Sequence, residues 1–373
     1  MSKSCKRLYP GLFLLGAATA ALVFAAPQTC AEALRHGLAL CGGSLLVSLF
    51  PFLVVSALIM RSGAGEVLGV LLWPVVRCIG LRSRSAGSVL LIGLVGGFAP
   101  AAAAAAEAVR SRKLTSQEAS ALLPACICSG PSFVILTVGE QLLGSRTAGV
   151  CLFAAQVLAG WLTAALLCRV RGIPEPLPAP PAAAQTEPPP ALDTILAQAA
   201  VTYLKLCGFV LYFRLLAAGC GLLLPAALAP FPAMLLEVCS GCDYAARTGL
   251  WASGLCCAAL SVQGTSVLLQ VRTLCPPEVS FKPLLWGRVL HLPLSLALFY
   301  LGLPQSAVES FNTLCNRVVP MRRVPTDCAL LVFAVCCITA CEACRLTEKR
   351  AQNAAPANKN RSAACKPPQN VVT

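Results

Sequence analysis

Residues 85–106 read SAGSVLLIGLVGGFAPAAAAAA. The stretch carries no charge, and its 22 residues are enough to cross about 30 Å of hydrocarbon as a helix. Gly96, Gly97 and Pro100 interrupt it, and in lipid the backbone groups freed by a break must find partners elsewhere. The stretch therefore predicts a broken, re-entrant helix hairpin that is buried in protein or lines a wet cavity.

The composition of the whole chain agrees with a membrane environment. Of 373 residues, 57% are apolar and 12% are charged, and the mean hydropathy is +0.76. Soluble domains carry about twice that charged fraction. The net charge of +14 comes from basic residues set between apolar runs, which is typical of loops at an anionic membrane face. No basic patch interleaved with aromatics is present in the sequence, so the lipid bilayer, and not nucleic acid, is the predicted partner.

Further apolar stretches predict the membrane helices. An apolar run at 8–26 favours a retained helix over a cleaved signal peptide, and 197–216 contains Lys205 and Arg214, which must snorkel or face protein. The remaining stretches are 37–60, 119–139, 147–168, 248–271, 289–308 and the shorter 328–341. Counting 85–106 as a hairpin gives eight crossings, which keeps both basic tails in the cytoplasm. The predicted fold is an all-α polytopic membrane protein with about eight transmembrane helices.

These features divide the chain into six parts. The parts are a tail with the first helix (1–33), a first repeat (34–170), a Pro-rich cytoplasmic linker (171–193), a second repeat (194–303), a loop with the last helix (304–344) and a basic disordered tail (345–373).

The two repeats resemble each other in their breaks. In the first, the Gly96-Gly97 break precedes Ser129-Gly130-Pro131-Ser132; in the second, a break at Ser240-Gly241 precedes Gln263-Gly264-Thr265-Ser266. The eight-span topology makes the repeats inverted, as in many secondary transporters with a midplane site. The alternative is that these small residues only allow kinks and close helix packing.

Glu237 is the most informative charge. It ends an apolar stretch next to the second break, and an ionisable group at membrane depth usually has a function or a partner; the alternative is an interfacial loop position. Glu107 and Asp243 are predicted to be interfacial. The predicted solute-binding residues are Gly97, Phe98, Pro100, Ser129, Gly130, Ser132, Glu237, Ser240, Gly241, Gln263, Gly264 and Ser266.

The sequence gives little support to metal or enzyme chemistry. Cys239 with Cys242, and Cys341 with Cys344, have the spacing of metal or redox pairs, but neither pair has a nearby histidine. Most of the 22 cysteines lie in apolar runs, where they act as small apolar side chains. We predict no metal, no cofactor and no enzymatic activity, because no catalytic or phosphate-binding motif is found in the sequence.

Over residues 34–303 the chain resembles the sporulation integral membrane protein family of the YlbJ type, in the nucleoside-recognition or gate superfamily. The resemblance is carried by GGFAP at 96–100, SGPSF at 129–133, LEVCSG at 236–241 and LFPF at 49–52, which resembles that family's second helix. The first break departs from the family pattern, Gly-aromatic-Pro-x-Gly-Ala, because its proline is displaced by one residue and its second glycine is alanine.

The resemblance implies a transporter-like protein of the cell membrane, in the mother-cell membranes of a sporulating bacterium, that is needed for spore cortex formation. The implied ligand is an unknown small solute bound between the two hairpins. The alternative is a scaffold that transports nothing and recruits membrane proteins of cortex synthesis. A homo-oligomer is left open, because apolar faces for lipid and for a second copy look alike in a sequence.

Overall fold

The computed structural model describes residues 10–172, 191–225 and 228–302, and this part of the chain is helical with no strand. Its first half comprises α1 (Pro10–Ala25), α2 (Pro27–Gly42), α3 (Ser44–Arg61), α4 (Ala64–Gly69), α5 (Trp73–Ile79), α6 (Ser85–Gly96), α7 (Phe98–Arg110), α8 (Ser116–Cys126), a π-helix (Ser132–Leu142) and α9 (Arg146–Arg171). Its second half comprises α10 (Leu192–Leu223), α11 (Pro230–Leu236), α12 (Val238–Ala246), α13 (Ala252–Val262), α14 (Gly264–Leu274) and α15 (Lys282–Gly302).

Four segments of the described chain are long and apolar enough to cross a membrane: Arg146–Arg171, Leu192–Leu223, Gly249–Leu274 and Lys282–Gly302. The number rises to six if two bent pairs each form one span: Pro10–Ala25 with Pro27–Val47, bent by 107°, and Leu49–Ile59 with Ala64–Ile79, bent by 94°. The prediction of an all-α, multi-pass membrane protein is confirmed. The described residues give four to six spans against about eight predicted, and the predicted span 328–341, both tails and most of the linker lie outside them.

Three predicted spans are not continuous helices. The stretch 248–271 is interrupted at Gln263, where α13 ends at Val262 and α14 begins at Gly264. The stretch 37–60 is divided at Gly43, between α2 and α3, where the Gly42-Gly43 pair allows the chain to turn. The stretch 119–139 is divided between α8 and the π-helix, because residues 127–130 are not helical. The length of an apolar stretch does not reveal such a break, because the stretch stays uncharged where the helix ends.

The predicted break in residues 85–106 is confirmed. α6 ends at Gly96, α7 begins at Phe98, and Gly97 between them has φ +81°. The two helices fold back on each other: a Cβ on Gly93 would lie 3.2 Å from the Cβ of Ala101. In a straight helix these residues would be about 12 Å apart along the axis.

The second hairpin is formed by α11 and α12, and its break is at Glu237. The predicted break at Ser240-Gly241 is therefore wrong, since both residues are helical in α12. Gly241 serves packing instead: a Cβ there would lie 2.8 Å from the Cα of Met234 on α11. Gly241 therefore lies where α11 and α12 touch, and Glu237 lies where the chain turns between them.

The same order of elements occurs in both halves: a hairpin, a broken helix and a long helix. These are α6–α7, α8 with the π-helix, and α9 in the first half, and α11–α12, α13 with α14, and α15 in the second. The halves interlock, because α9 packs against α15 and α13, α15 also packs against α8, α14 packs against α7, and α12 packs against the π-helix. The reciprocal packing supports the internal repeat, and the inversion of its halves across the membrane stays a prediction.

Candidate functional site

A small cavity lies where the two hairpins and the two broken helices meet. Its volume is about 30 Å³, which is room for about two water molecules. Its lining residues come from both halves of the chain: Leu49, Leu53, Gly96, Gly97, Phe98, Ala99, Pro100, Ser129, Gly130, Phe133, Leu206, Val210, Glu237, Val238, Cys239, Val267 and Gln270. Most are apolar, so the few polar groups among them determine how a solute would be oriented.

Gly97 and Gly130 bring the two breaks of the first half together. A Cβ on Gly97 would lie 2.7 Å from the backbone nitrogen of Gly130, and the φ of +81° at Gly97 already favours glycine. Gly97 is the N-cap of α7 and has no side chain that could cap the first turn, which starts at this point on the cavity wall. Helix N-termini attract acceptor and anionic groups because their first amides have no partner within the helix.

Glu237 occupies the corresponding place in the second half and caps α12. Its side chain is buried, with the residue 2% exposed, and it lines the cavity. One carboxylate oxygen accepts the amide of Cys239 at 2.8 Å and the other accepts the amide of Ser240 at 2.6 Å. The prediction that Glu237 lies inside the protein and faces the cavity is confirmed, and its partners there are free backbone amides.

The break between α13 and α14 is built from two left-handed residues, Gln263 at φ +62° and Gly264 at φ +74°. A Cβ on Gly264 would lie 2.8 Å from the backbone nitrogen of Glu237, so this break touches the tip of the second hairpin. The side chain of Gln263 donates from Nε2 to the carbonyl of Ile127 at 3.2 Å. A left-handed glutamine costs about 1–3 kcal/mol, and such strain clusters at functional sites.

Several buried polar atoms near the cavity have no protein partner within the described residues. They are the hydroxyls of Ser129 and Ser240 and the amide oxygen of Gln263. Of these three residues only Ser129 lines the cavity, and it is 4% exposed. A buried hydroxyl without a hydrogen bond costs about 1–3 kcal/mol, so a bound solute or water is the expected partner.

The structure brings half of the predicted solute-binding residues to the cavity wall. Those that line it are Gly97, Phe98, Pro100, Ser129, Gly130 and Glu237. Those buried behind it are Ser132, Ser240, Gly241, Gln263, Gly264 and Ser266. Gln270 lines the cavity and was not predicted, although a glutamine one helical turn after Ser266 in an apolar helix is a usable signal; its Nε2 donates to the Ser266 hydroxyl at 3.1 Å.

The position of Asp243 differs from the one predicted. It was predicted to be interfacial, but it is 5% exposed and forms an ion pair with Arg214 at 2.6 Å. Arg247, on the protein surface, pairs with the same carboxylate at 2.9 Å. Arg214 therefore faces protein and joins α10 to the second hairpin. Glu107, also predicted to be interfacial, is exposed and paired with Arg110.

A second cluster of buried polar side chains lies between α9, α13 and α15, and it was not predicted from the sequence. Gln156 donates from Nε2 to the Ser261 hydroxyl at 3.0 Å, and Ser261 also contacts Ser295. His291 bonds through Nε2 to the carbonyl of Gln156 at 3.0 Å, and Arg288 reaches the carbonyls of the helix breaks. These residues are far apart in sequence and share no motif, so only the packing brings them together.

Within the described ranges, no group of three or more His, Cys, Asp or Glu side chains is placed to hold a metal ion. Cys239 and Cys242 lie one turn apart on α12, and both are buried. The other pair of this spacing, Cys341 with Cys344, lies outside the described residues.

Comparison with known proteins gives one relative. The chain is 30% identical over 172 residues to the sporulation integral membrane protein YlbJ of Bacillus subtilis (strain 168). The match covers 46% of this chain and 41% of the relative, so the chain matches about two-fifths of the length of that protein. No family model matches, and no solved structure matches. The similarity and the apolar helices together make this chain a multi-pass integral membrane protein that is similar to a sporulation membrane protein.

Proposed function

We propose that this protein is transporter-like and that a small solute binds in the cavity between its two hairpins. The observation that carries the proposal is the composition of the cavity wall, which takes Gly97 from one hairpin, Glu237 from the other and Ser129 from a broken helix. A break inside a membrane leaves backbone groups that must be satisfied, and broken helices persist where they line a site. Two such breaks from two repeats meet at this cavity.

The polar groups indicate how a solute would be held. The Ser129 hydroxyl lacks a protein partner among the described residues, and the N-cap of α7 beside it, Gly97, has no side chain that could cap the helix. Both features favour a solute with hydrogen-bond acceptor oxygens at this end of the cavity. The other lining residues, such as Phe98, Phe133 and Val267, are apolar and suit the less polar part of a solute. A solute larger than about two water molecules requires the hairpins to move apart, because the cavity is about 30 Å³ in this conformation.

The similarity to YlbJ suggests the cellular process in which the protein takes part. Because the relative is a sporulation integral membrane protein, we infer that this chain serves spore formation in the membranes of a sporulating bacterium. By resemblance, the process is formation of the spore cortex in the mother cell.

One observation favours a scaffold that recruits proteins of cortex synthesis. Both carboxylate oxygens of Glu237 already accept amides of α12, so this residue has a structural use without any solute. A scaffold would keep the fold for stability alone, and its cavity would bind nothing.

A binding measurement separates these two functions. Purified protein is unfolded thermally with and without the low-molecular-weight fraction of an extract of sporulating cells. We expect the fraction to raise the Tm of the wild type, because a ligand that binds only the folded state stabilises it. The same Tm with and without the fraction would favour the scaffold.

Ser129→Ala tests where the solute binds. The unliganded variant should be as stable as the wild type or more so, because it removes an unpaired buried hydroxyl, but it should lose much of the Tm increase. The matched control is Ser56→Ala, since Ser56 is also buried and unpaired among the described residues but does not line the cavity. An equal Tm increase in both variants would place the site elsewhere.

A further inference from the structure

Arg288, on α15, makes hydrogen bonds to both halves of the chain. Its guanidinium donates from Nη2 to the carbonyl of Ile127 at 2.5 Å and from Nη1 to the carbonyl of Ser261 at 3.3 Å. Ile127 follows the last residue of α8, and Ser261 is the penultimate residue of α13. Both carbonyls therefore lie at the C-terminal end of the first segment of a broken helix, where acceptors lack helical partners.

The chemistry of arginine suits this position. The C-terminal end of a helix carries a partial negative charge, and here two such ends point at one buried cation. A guanidinium presents its donors in a rigid planar fork that can reach two carbonyls at once, whereas a lysine ammonium is a point charge. Gln263 also donates to the Ile127 carbonyl, at 3.2 Å, so this atom of the first half is held by two residues of the second.

The two carbonyls are next to residues of the cavity wall. Ile127 precedes Ser129 by two residues, and Ser129 lines the cavity. Ser261 precedes Gln263 and Gly264, and Gly264 is in close contact with the backbone of Glu237. Arg288 itself does not line the cavity and is buried behind it, between the two broken helices.

We infer that Arg288 is a positioning residue that holds the break after α8 against the break after α13, so that Ser129 and Glu237 face one cavity. The inference rests on the proposed function only in treating that cavity as a solute site. The link between the two breaks can be tested without any solute, so its failure and the failure of the proposed function are distinguishable.

The test is hydrogen–deuterium exchange, followed by mass spectrometry, on the purified full-length protein in lipid nanodiscs. In Arg288→Met, amide exchange should increase by about tenfold or more in peptides covering 124–134 and 258–268 together, because each carbonyl loses a hydrogen bond from a charged donor. Arg288→Lys keeps the charge and one donor direction, so it should restore protection in part. Exchange in α9 should stay as in the wild type.

Arg272→Met is the matched control. Arg272 also donates to a backbone carbonyl, that of Val279 at 3.3 Å, but it is exposed and joins residues of one half only. Its replacement should leave both breaks protected. Faster exchange in Arg288→Met at only one break, or only in α15, would overturn the inference. If Arg288→Met does not fold, Arg288→Lys serves as the test. Wild-type exchange at both breaks in Arg288→Lys would then overturn the inference.

Discussion

Glu237 combines the roles of a helix cap and a cavity residue. A buried acid beside a break can be recognised in the sequence, and the need for a partner follows from its burial. Free backbone amides are one kind of partner expected for such an acid, but which amides they are could not be predicted, because those of Cys239 and Ser240 become available only when α12 begins immediately after Glu237. The sequence suggested the later Ser240-Gly241 because glycine is the more familiar sign of a break.

Replacement of Glu237 by Gln tests both roles. An amide side chain offers one acceptor oxygen in place of two, so Glu237→Gln should lose one capping bond and about 1 kcal/mol of stability, which still permits membrane insertion and near-normal abundance. We expect the transport or sporulation phenotype to be lost nevertheless. Glu107→Gln, at an exposed position, is the control. Normal spore cortex in Glu237→Gln, with a defect in the null strain, would make Glu237 a cap only.

Gly97 permits the first hairpin to turn at the cavity. Gly97→Ala would place a Cβ 2.7 Å from the Gly130 nitrogen in a backbone conformation at φ +81°. We expect a loss of at least about 1–2 kcal/mol, measured as a lower Tm of the purified protein. Gly208→Ala is the matched control, because its added Cβ on helix α10 meets no described atom within 4 Å beyond the backbone of its own helix. Equal Tm values for the two variants would show that the close contact at Gly97 is absent.

At the scale of elements, the ion pair of Arg214 with Asp243 attaches the second hairpin to α10. Both side chains are 7% exposed, so Asp243→Asn leaves a buried cation without its partner and should destabilise the protein by about 3–5 kcal/mol. Arg247→Met removes a surface partner of the same carboxylate and should cost less than about 1 kcal/mol.

A double variant isolates the pair itself. Arg214→Met with Asp243→Leu replaces both charges by apolar groups and should recover most of the stability lost in Asp243→Asn. Thermal unfolding of the purified variants measures both effects. If the double variant is less stable than Asp243→Asn, the ion pair stabilises the fold by more than cancelling the cost of one buried charge with the other.

The elements show what sequence patterns can and cannot predict. The long helices α9, α10 and α15 were predicted because twenty or more apolar residues leave few alternatives in lipid. The hairpin at Gly97 was predicted because glycine and proline interrupt an otherwise uniform apolar stretch. The left-handed Gln263 could not be predicted, because its side chain bonds to Ile127 and the adjoining Gly264 contacts Glu237, and both partners are distant in sequence.

At the scale of the whole molecule, the two repeats share a cavity that neither repeat could form alone. The weak repeat in the sequence indicated which segments correspond, and the breaks indicated where the polypeptide is not a continuous helix. The residues that hold the repeats together, such as Arg288 and Gln156, carry no recognisable motif. Their roles depend on long-range packing, which one sequence does not specify.

The orientation in the membrane follows from charge. Arg110, Arg112 and Lys113, with Arg169 and Arg171, predict that these loops, the linker at 171–193 and both termini face the cytoplasm. An engineered cysteine in the linker, in a background cleared of native cysteines, should resist an impermeant reagent added outside intact cells. Labelling of that cysteine from outside would contradict the orientation.

Transport by the purified protein is the most direct test of the solute cavity. Liposomes containing the wild type, Gly208→Ala or Ser129→Ala, and empty liposomes, are incubated with small molecules extracted from sporulating cells, and their contents are identified by mass spectrometry. We expect at least one small solute to enter liposomes containing the wild type and Gly208→Ala, less of it to enter those containing Ser129→Ala, and none to enter empty liposomes. Contents identical to those of empty liposomes would contradict a transporter.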